Sequence, residues 1–345
     1  MQFKTVVRGI IMIKRIYIAV ISIVLSFGLA GCALAGMLQE PTNRTDATLS
    51  TGTPQTDQST TAASSTTDPS VLQLPTTEPS QSETTLPAIM QPEPRDEDFV
   101  KVVMYIPDII VDLRYSTENN FTNQKIYDFT DVWLRYGTVK KLMLVQEELK
   151  QYGCVLKIWD GFRPTSAQFK LWGVYPDPNF VANPNNGYSS HSRGNTVDVT
   201  LVHPDGREMK MPTGFDDFSK LADRDYSDCS KEAAENALLL EQLMIKHGFV
   251  PYSGEWWHFT DTQSYPVEQA FEPTATAAYY ADCDVNISLR TNPSTTAEVI
   301  TKILAGEQFE VVAKSGEFAL VEYQGLLGYV LRNDIKPVFP APADI

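Results

Sequence analysis

The chain has 345 residues, of which 43 are acidic and 28 are basic, so its formal net charge is -15. This length allows two or three domains. Because phosphate backbones are bound by basic surfaces, the charge argues against a nucleic-acid partner.

The first predicted element is a targeting segment, residues 1–32. Its apolar run starts at Ile16 and ends in Leu29-Ala30-Gly31-Cys32, and the basic residues before it are Lys4, Arg8, Lys14 and Arg15. The pattern resembles a bacterial lipoprotein signal, in which cleavage before Cys32 leaves that thiol to carry lipid. An uncleaved membrane helix is the alternative, because the run approaches the length of a span. We therefore expect the rest of the chain on the extracellular face of the bacterial membrane, lipid-anchored in the first case.

Residues 33–96 form a predicted disordered tether. From Gln39 to about Arg95 the sequence is dominated by Thr, Ser, Pro and Gln and has few large apolar residues. Such a segment cannot bury enough apolar surface to offset the entropy cost of ordering. It would let the folded part reach away from the membrane.

The middle domain, residues 97–268, alternates β-rich and helical patterns. Strand patterns are set by β-branched runs, and helix ends by glycine and proline. The predicted elements are strands over 102–106 and 109–113, a helix with Thr138 as N-cap that ends before Gly153, a strand over 155–159, a helix that starts at Pro164, and a helix over about 231–247.

A motif with metal-ligand chemistry, SSHSRG at 189–194, precedes a predicted strand over 196–201. Side chains alternate along a strand, so Asp198 is expected to face away from the core. Gly194 allows the chain to turn, which brings His191 back over the strand toward Asp198. About sixty residues later, EWWH at 255–258 adds a second carboxylate and a second imidazole.

His191, Asp198 and His258 can supply the ligands of a catalytic zinc site, which takes three protein ligands and keeps a fourth position for water. A single histidine or aspartate is more often structural. The chain has only four histidines, however, and two of them lie in these two stretches. Glu255 and His258 are three residues apart, so the backbone must bend or bulge if both are to face one metal.

The pattern SxHxxGxxxD followed by ExWH resembles the zinc D,D-peptidases of bacterial cell-wall metabolism. Within that group, SSHSRGNTVDVTL, DGFRP and EWWHF are most similar to the D-alanyl-D-alanine dipeptidases of the vancomycin-resistance type, over about residues 100–260. The resemblance implies one zinc ion held by His191, Asp198 and His258. It also implies that Glu255 is the general base and that Arg163 stabilises the transition state.

The resemblance also indicates substrate-binding residues. The segment MPTGFD at 211–216 is similar to a family segment whose aspartate receives the free amino group of the substrate, which assigns that role to Asp216. Ser189 and Asp160 are further candidates for substrate contact. By spacing alone, Arg163 fits a surface residue paired with Asp160, and Asp216 fits a plain turn residue.

Beyond residue 273 the pattern changes to short strands separated by turn residues, which predicts a small antiparallel barrel. The pieces ISLRTNPS and GLLGYV resemble a bacterial SH3-like domain, residues 275–340. Such a resemblance implies binding of peptidoglycan peptides, and a structural appendage is the alternative. If Cys32 carries lipid, Cys154, Cys229 and Cys283 remain, and a bridge between the first two is one option.

The sequence thus predicts an α+β zinc D,D-peptidase domain with a small antiparallel sheet that carries the metal site, followed by an all-β SH3-like barrel. The predicted activity is zinc-dependent hydrolysis of D-Ala-D-Ala or a related short cell-wall peptide at the cell surface. Two alternatives stay open: a D,D-carboxypeptidase or endopeptidase that trims peptidoglycan stem peptides, and a wall-binding lipoprotein without activity.

Overall fold

The computed structural model describes residues 91–178 and 180–339. The predicted lipoprotein segment with Cys32, and the predicted tether as far as residue 90, lie outside the described residues. Gln91, near the end of that tether, is described, and its side-chain amide exchanges two hydrogen bonds with the backbone of Leu327. In the part of the chain that is described, no helix is long and apolar enough to cross a membrane.

The middle domain contains strands and helices in alternation. Its strands are β1 (Phe99–Lys101), β2 (Ile110–Val111), β3 (Trp133–Arg135), β4 (Val155–Asp160), β5 (Thr196–Val202), β6 (Phe249–Pro251) and β7 (His258–Asp261). Its α-helices are α1 (Tyr136–Leu149), α2 (Thr165–Val174) and α3 (Lys231–Lys246).

The central sheet has the strand order β2-β4-β5-β7-β6. The pairs β4–β5, β5–β7 and β6–β7 are antiparallel, whereas β2 and β4 are parallel. The prediction of an antiparallel sheet is therefore wrong for its β2 edge. Helix α1 lies in the connection between β2 and β4, and such a crossover is what parallel neighbours require.

Strand β5 lies at the centre of this sheet, and all seven of its residues are buried. Helix α1 contacts β4, and α3 contacts β5. As predicted, Asp198 and the apolar residues of this strand lie on opposite faces of the sheet. The face that carries Asp198 is also covered, however, and this residue is only 3% exposed. Asp198 therefore lies in the protein interior, where an unpaired carboxylate would be costly.

Two local predictions are wrong, because the groups concerned form other hydrogen bonds than those predicted. Val102–Met104 forms a 3-10 turn instead of a strand, because the Val102 N–H bonds to the Val132 carbonyl and Ile106 N–H returns to the Val102 carbonyl. Helix α1 begins at Tyr136, and the Thr138 hydroxyl donates to Asp261 instead of capping the helix. The predicted strand over 155–159 and helix over 231–247 are confirmed as β4 and α3.

The C-terminal module is all-β, as predicted, and forms a seven-stranded antiparallel sheet in the order β10-β9-β13-β12-β11-β8-β14. The strands are β8 (Phe271–Ala281), β9 (Asn286–Arg290), β10 (Val299–Leu304), β11 (Gln308–Ser315), β12 (Phe318–Tyr323), β13 (Leu326–Leu331) and β14 (Ile335–Pro337).

Cys154, Cys229 and Cys283 are free thiols, so the structure does not contain the disulfide considered between Cys154 and Cys229.

The hydrophobic core of the middle domain continues into this module. Phe271, the first residue of β8, is buried in that core together with Val312, Ala313 and Leu320. Its ring stacks on Phe99 at a centroid distance of 4.4 Å. The two regions therefore share apolar packing and are not linked by a free connector.

We expect Phe271→Ala to lower the free energy of unfolding by about 3–5 kcal/mol, because it removes a buried aromatic ring and leaves a cavity. The same change at Phe339, whose side chain is 79% exposed, should shift it by no more than about 0.5 kcal/mol. Urea unfolding of both variants measures the difference. Equal effects at the two positions would show that the shared core contributes nothing to stability.

Candidate active site

Three acidic or imidazole side chains lie in one row across the central sheet. Asp160 at the end of β4 pairs with Asp198 on β5, and Asp198 pairs with His258 at the start of β7. Residues directly opposite on antiparallel strands project on the same face. Strand register therefore brings together three side chains that are distant along the chain.

His191 reaches the same place from a short 3-10 turn, Ser190–Arg193. Gly194 ends this turn with φ of 76°, and a side chain there would collide with the ring of Phe99. Glycine is therefore required for both its backbone angle and its size. The His191 Nδ1 lies 2.8 Å from the Gly161 carbonyl, so this nitrogen carries the proton and Nε2 offers its lone pair to the site.

His191, Asp198 and His258 each offer one ligand atom, and these atoms lie within 4.8 Å of one another. The Asp198 oxygens lie 3.3 Å from His191 Nε2 and 3.0 Å from His258 Nδ1. Although buried, Asp198 Oδ1 has no hydrogen-bond partner with suitable geometry among the described residues. Two imidazoles and a carboxylate with an unpaired buried oxygen form a donor set that fits a zinc ion.

Electrostatics favour the ionised form of Asp198. Burial alone would raise the pKa of Asp198, but His191 and His258 outweigh it, so the pKa of this carboxyl is lowered. Burial alone would lower the pKa of His191, but the carboxylates of Asp198 and Asp160 together raise it. A deprotonated Asp198 is the form that a metal ion binds.

Glu255 lies in the turn before β7, with Oε2 at 3.5 Å from His258 Nδ1. The backbone bend that the three-residue spacing required is present, because Glu255 precedes the strand that His258 begins. Burial raises the pKa of Glu255, although His258 opposes this shift. A raised carboxyl pKa suits a group that takes up and returns a proton near neutral pH.

Arg163 is buried and lines the site from the loop between β4 and α2. Arg163 donates hydrogen bonds to the Asp160 carboxylate from Nη2 at 2.6 Å and from Nε at 3.1 Å. Its Nη1 donates to the side chain of Gln168 at 3.1 Å. Arginine has five N–H donors, so donors remain for a bound ligand beyond these partners in the described residues. The pairing with Asp160 holds the guanidinium in place.

Asp160 itself is fully buried. Besides Arg163, its carboxylate accepts hydrogen bonds from the Tyr127 hydroxyl and from the Gly161 N–H. It lies behind Arg163 and is not among the residues that line the pocket. The structure thus places Asp160 as support for Arg163, where the sequence suggested direct contact with substrate.

Asp216 also lines the site and accepts a 2.8 Å hydrogen bond from the Tyr115 hydroxyl. Its backbone has φ of 54°, a left-handed conformation that aspartate tolerates and that is often found at functional sites. Burial raises the pKa of Asp216 well above its usual range, the Tyr115 bond opposes this, and Asp198 adds to it. The surroundings of Asp216 therefore disfavour a negative charge on its carboxyl group, which a bound cationic group would restore.

We expect Asp216→Asn to stabilise the metal-free protein at neutral pH. A carboxyl whose pKa is higher in the folded state than in the unfolded state costs stability as the pH rises above its unfolded value of about 4. The gain in melting temperature of the variant should accordingly be present at pH 7 and absent below about pH 4. Melting curves in chelator at several pH values measure this, and a gain that is independent of pH would contradict it.

One pocket of about 320 Å³ is lined by Arg163, His191, Asp198, Asp216, Glu255 and His258. Ser189, which caps the His191 turn, is buried and also lines it. Sequence reasoning did not identify several of its other side chains, because they lie on loops without a motif. The aromatic residues of this kind are Tyr115, Phe180, Tyr188 and Tyr252.

A His-Asp-His cluster beside a carboxylate and a buried arginine defines the active site of a metallopeptidase. The model of the family described as D-ala-D-ala dipeptidase matches residues 95–276, and that of the bacterial SH3 domain matches residues 285–336. The D-alanyl-D-alanine dipeptidase of Escherichia coli K12 is 34% identical and is matched over 49% of this chain and 89% of its own length. The enzyme of the same name from Streptomyces coelicolor is 32% identical, over 47% and 91%.

The chain belongs to the D-alanyl-D-alanine dipeptidase family, a family of zinc metallopeptidases. Its C-terminal module is a bacterial SH3 domain.

Proposed function

We propose that the chain is a zinc-dependent dipeptidase that hydrolyses D-Ala-D-Ala or a related short cell-wall peptide. The convergence of His191, Asp198 and His258 next to Glu255 carries this proposal. Relatives that are 32% and 34% identical over about half of this chain are named D-alanyl-D-alanine dipeptidases, which supports the choice of substrate.

His191 Nε2, one Asp198 oxygen and His258 Nδ1 would hold the zinc ion. Bound zinc supplies a Lewis acid and lowers the pKa of water in its open coordination position. The carbonyl of Gly161 orients His191, and Ser190 Oγ lies 3.4 Å from His258 Nε2, so each ring has an outer partner. Such partners fix the tautomer and direction of a ligating imidazole.

Glu255 takes a proton from the attacking water and returns it to the amine that leaves when the peptide bond breaks. Arg163 donates N–H groups to the oxygen that becomes negative as water adds to the carbonyl. Because this charge is absent in the bound substrate, the interaction strengthens along the reaction path and lowers the barrier.

Asp216 accepts the free amino group of the substrate, supported by the hydrogen bond from Tyr115. Binding a cation there compensates the burial that raises the pKa of Asp216. Ser189 lies on the pocket wall beside His191 and offers its hydroxyl to the peptide. The pocket of about 320 Å³ lies within the usual range of ligand sites, about 300–1,000 Å³, so it has room for a dipeptide.

Incubating zinc-loaded protein with D-Ala-D-Ala and, separately, with a stem pentapeptide tests the proposal. Release of D-alanine from the dipeptide alone is the expected result. Cleavage of the pentapeptide with the dipeptide left intact would instead indicate a carboxypeptidase or endopeptidase that acts on peptidoglycan stem peptides. No cleavage of either would leave a wall-binding lipoprotein as the remaining interpretation.

The proposed location is the outer face of the bacterial membrane, with lipid on Cys32 and wall contact through the SH3 domain. The sequence of residues 1–32 supports the anchor, and the SH3 match supports the contact with peptidoglycan. Labelling cells with a radioactive fatty acid should mark the wild-type protein and not Cys32→Ser. Equal labelling of both would exclude this anchor.

A further inference from the structure

The segment between β6 and β7, residues 252–257, makes the bend that brings Glu255 to His258. Its own turn contacts are long: the Tyr252 N–H lies 3.2 Å from the His258 carbonyl, the Glu255 N–H 3.4 Å from the Tyr252 carbonyl, and the His258 N–H 3.3 Å from the Glu255 carbonyl. Bonds this long contribute little by themselves. Something outside the segment must therefore help to hold its shape.

Arg224, more than twenty residues earlier in the chain, bonds to three backbone carbonyls of this bend. Its Nε donates to the Tyr252 carbonyl at 2.7 Å, and its Nη2 donates to the carbonyls of Glu255 and His258, both at 3.0 Å. The bonded carbonyls belong to the proposed general base, to a proposed metal ligand and to the residue at the start of the bend. One side chain thus connects both ends of the bend and its middle.

The Arg224 guanidinium is itself rigidly held. Its Nη1 donates to Glu241 on α3 at 2.9 Å and to the Tyr226 hydroxyl at 3.3 Å. With these two acceptors and the three carbonyls, all five N–H groups of the guanidinium are used. It also lies over the ring of Phe259 at 4.5 Å, and its side chain is only 11% exposed. Charge-assisted hydrogen bonds of this kind are stronger when water is largely excluded.

The neighbouring residue Ala222 adds a fourth contact, because its carbonyl accepts the Trp256 N–H at 2.8 Å. The 222–226 segment therefore contacts the bend at four backbone groups. None of these contacts involves the side chain of Glu255 or the ring of His258. Arg224 acts on the site through the backbone alone.

We propose that Arg224 is the positioning residue of the active site, whose guanidinium fixes the bend that keeps Glu255 and His258 directed at one point. The inference rests on the proposed function for the roles of those two residues. Lysine cannot replace Arg224, because an ammonium is a single point donor and cannot span three carbonyls in a plane.

The test compares Arg224→Ala and Arg224→Lys with Arg207→Ala, a control at an exposed arginine whose side chain pairs only with Asp205 among the described residues. We expect kcat per folded, zinc-loaded molecule to fall by about 10- to 100-fold in both Arg224 variants, with KM changed much less. Guanidinium chloride, added below its denaturing concentration, should restore part of the kcat of Arg224→Ala and none of that of Arg224→Lys. A merely structural loss would lower the folded fraction without this rescue.

A second readout does not depend on hydrolysis. Since Arg224 also holds the backbone of His258, zinc should pass to a chelator about 10- to 100-fold faster from the Arg224 variants than from the control. If Arg224→Ala fails to fold, Arg224→Lys carries both measurements.

A kcat and a zinc-release rate in Arg224→Lys that match those of the control would overturn the proposal. If the wild-type protein cleaves neither peptide, the proposed function fails, and the zinc-release rates still test Arg224.

Discussion

Replacing Glu255 by glutamine should lower kcat by about 10²- to 10⁴-fold and leave the zinc content unchanged. Glutamine keeps the size and the hydrogen-bonding capacity of the side chain but cannot take up a proton. Glu255 is not needed as a ligand, because the ligand atoms of His191, Asp198 and His258 already converge without it. Steady-state hydrolysis of D-Ala-D-Ala, with metal analysis of the same sample, measures both quantities.

Glu147→Gln is the matched control for this change, since that side chain is 75% exposed on helix α1. Its kcat should equal that of the wild type. Retention of more than about a tenth of wild-type kcat in Glu255→Gln, with zinc still bound, would remove Glu255 from the role of general base.

Arg163→Lys should lower kcat by about 10²- to 10³-fold with a smaller change in KM. Lysine keeps the positive charge beside Asp160 but loses the planar set of donors directed at the developing oxyanion. Alanine is a poorer choice, because it leaves the buried carboxylate of Asp160 unpaired and costs about 3–5 kcal/mol of stability. Kinetics at several concentrations of D-Ala-D-Ala separate kcat from KM.

The double variant Arg163→Lys with Asp160→Asn tests whether Asp160 acts only by positioning Arg163. If Asp160 only positions Arg163, removing its charge after the guanidinium is gone should add little to the loss of kcat. A large further loss in the double variant would mean that Asp160 contributes to the reaction independently. A rise in KM alone, with kcat preserved in Arg163→Lys, would place Arg163 in substrate binding instead.

The parts of the site predicted most directly from the residues are those that are local in sequence. His191 and Asp198 are separated by one glycine turn, so their proximity follows from the backbone alone. The pairing with His258 depends on strand register across β5 and β7. The scarcity of histidines and the resemblance to a known family indicated this residue as a ligand, but neither gave the register. Strand β4 and helix α3 were predicted correctly because their apolar patterns are long and regular.

The remainder depends on contacts between distant segments, which a single sequence does not encode locally. Tyr115 lies in a short 3-10 turn and Tyr127 in a loop, yet the first bonds Asp216 and the second bonds Asp160. The parallel pairing of β2 with β4 joins residues more than forty positions apart. Arg224 belongs to no motif, and its three carbonyl partners become visible only in the folded chain.

The central claim is that His191, Asp198 and His258 bind one zinc ion together. Equilibrium dialysis against zinc, followed by metal analysis, tests it most directly in the wild-type protein, in His258→Ala and in His247→Ala, where the histidine bonds Glu148 away from the site. We predict about one zinc per chain in the wild type and in His247→Ala, and nearly none in His258→Ala. Equal zinc content in all three proteins would contradict the claim.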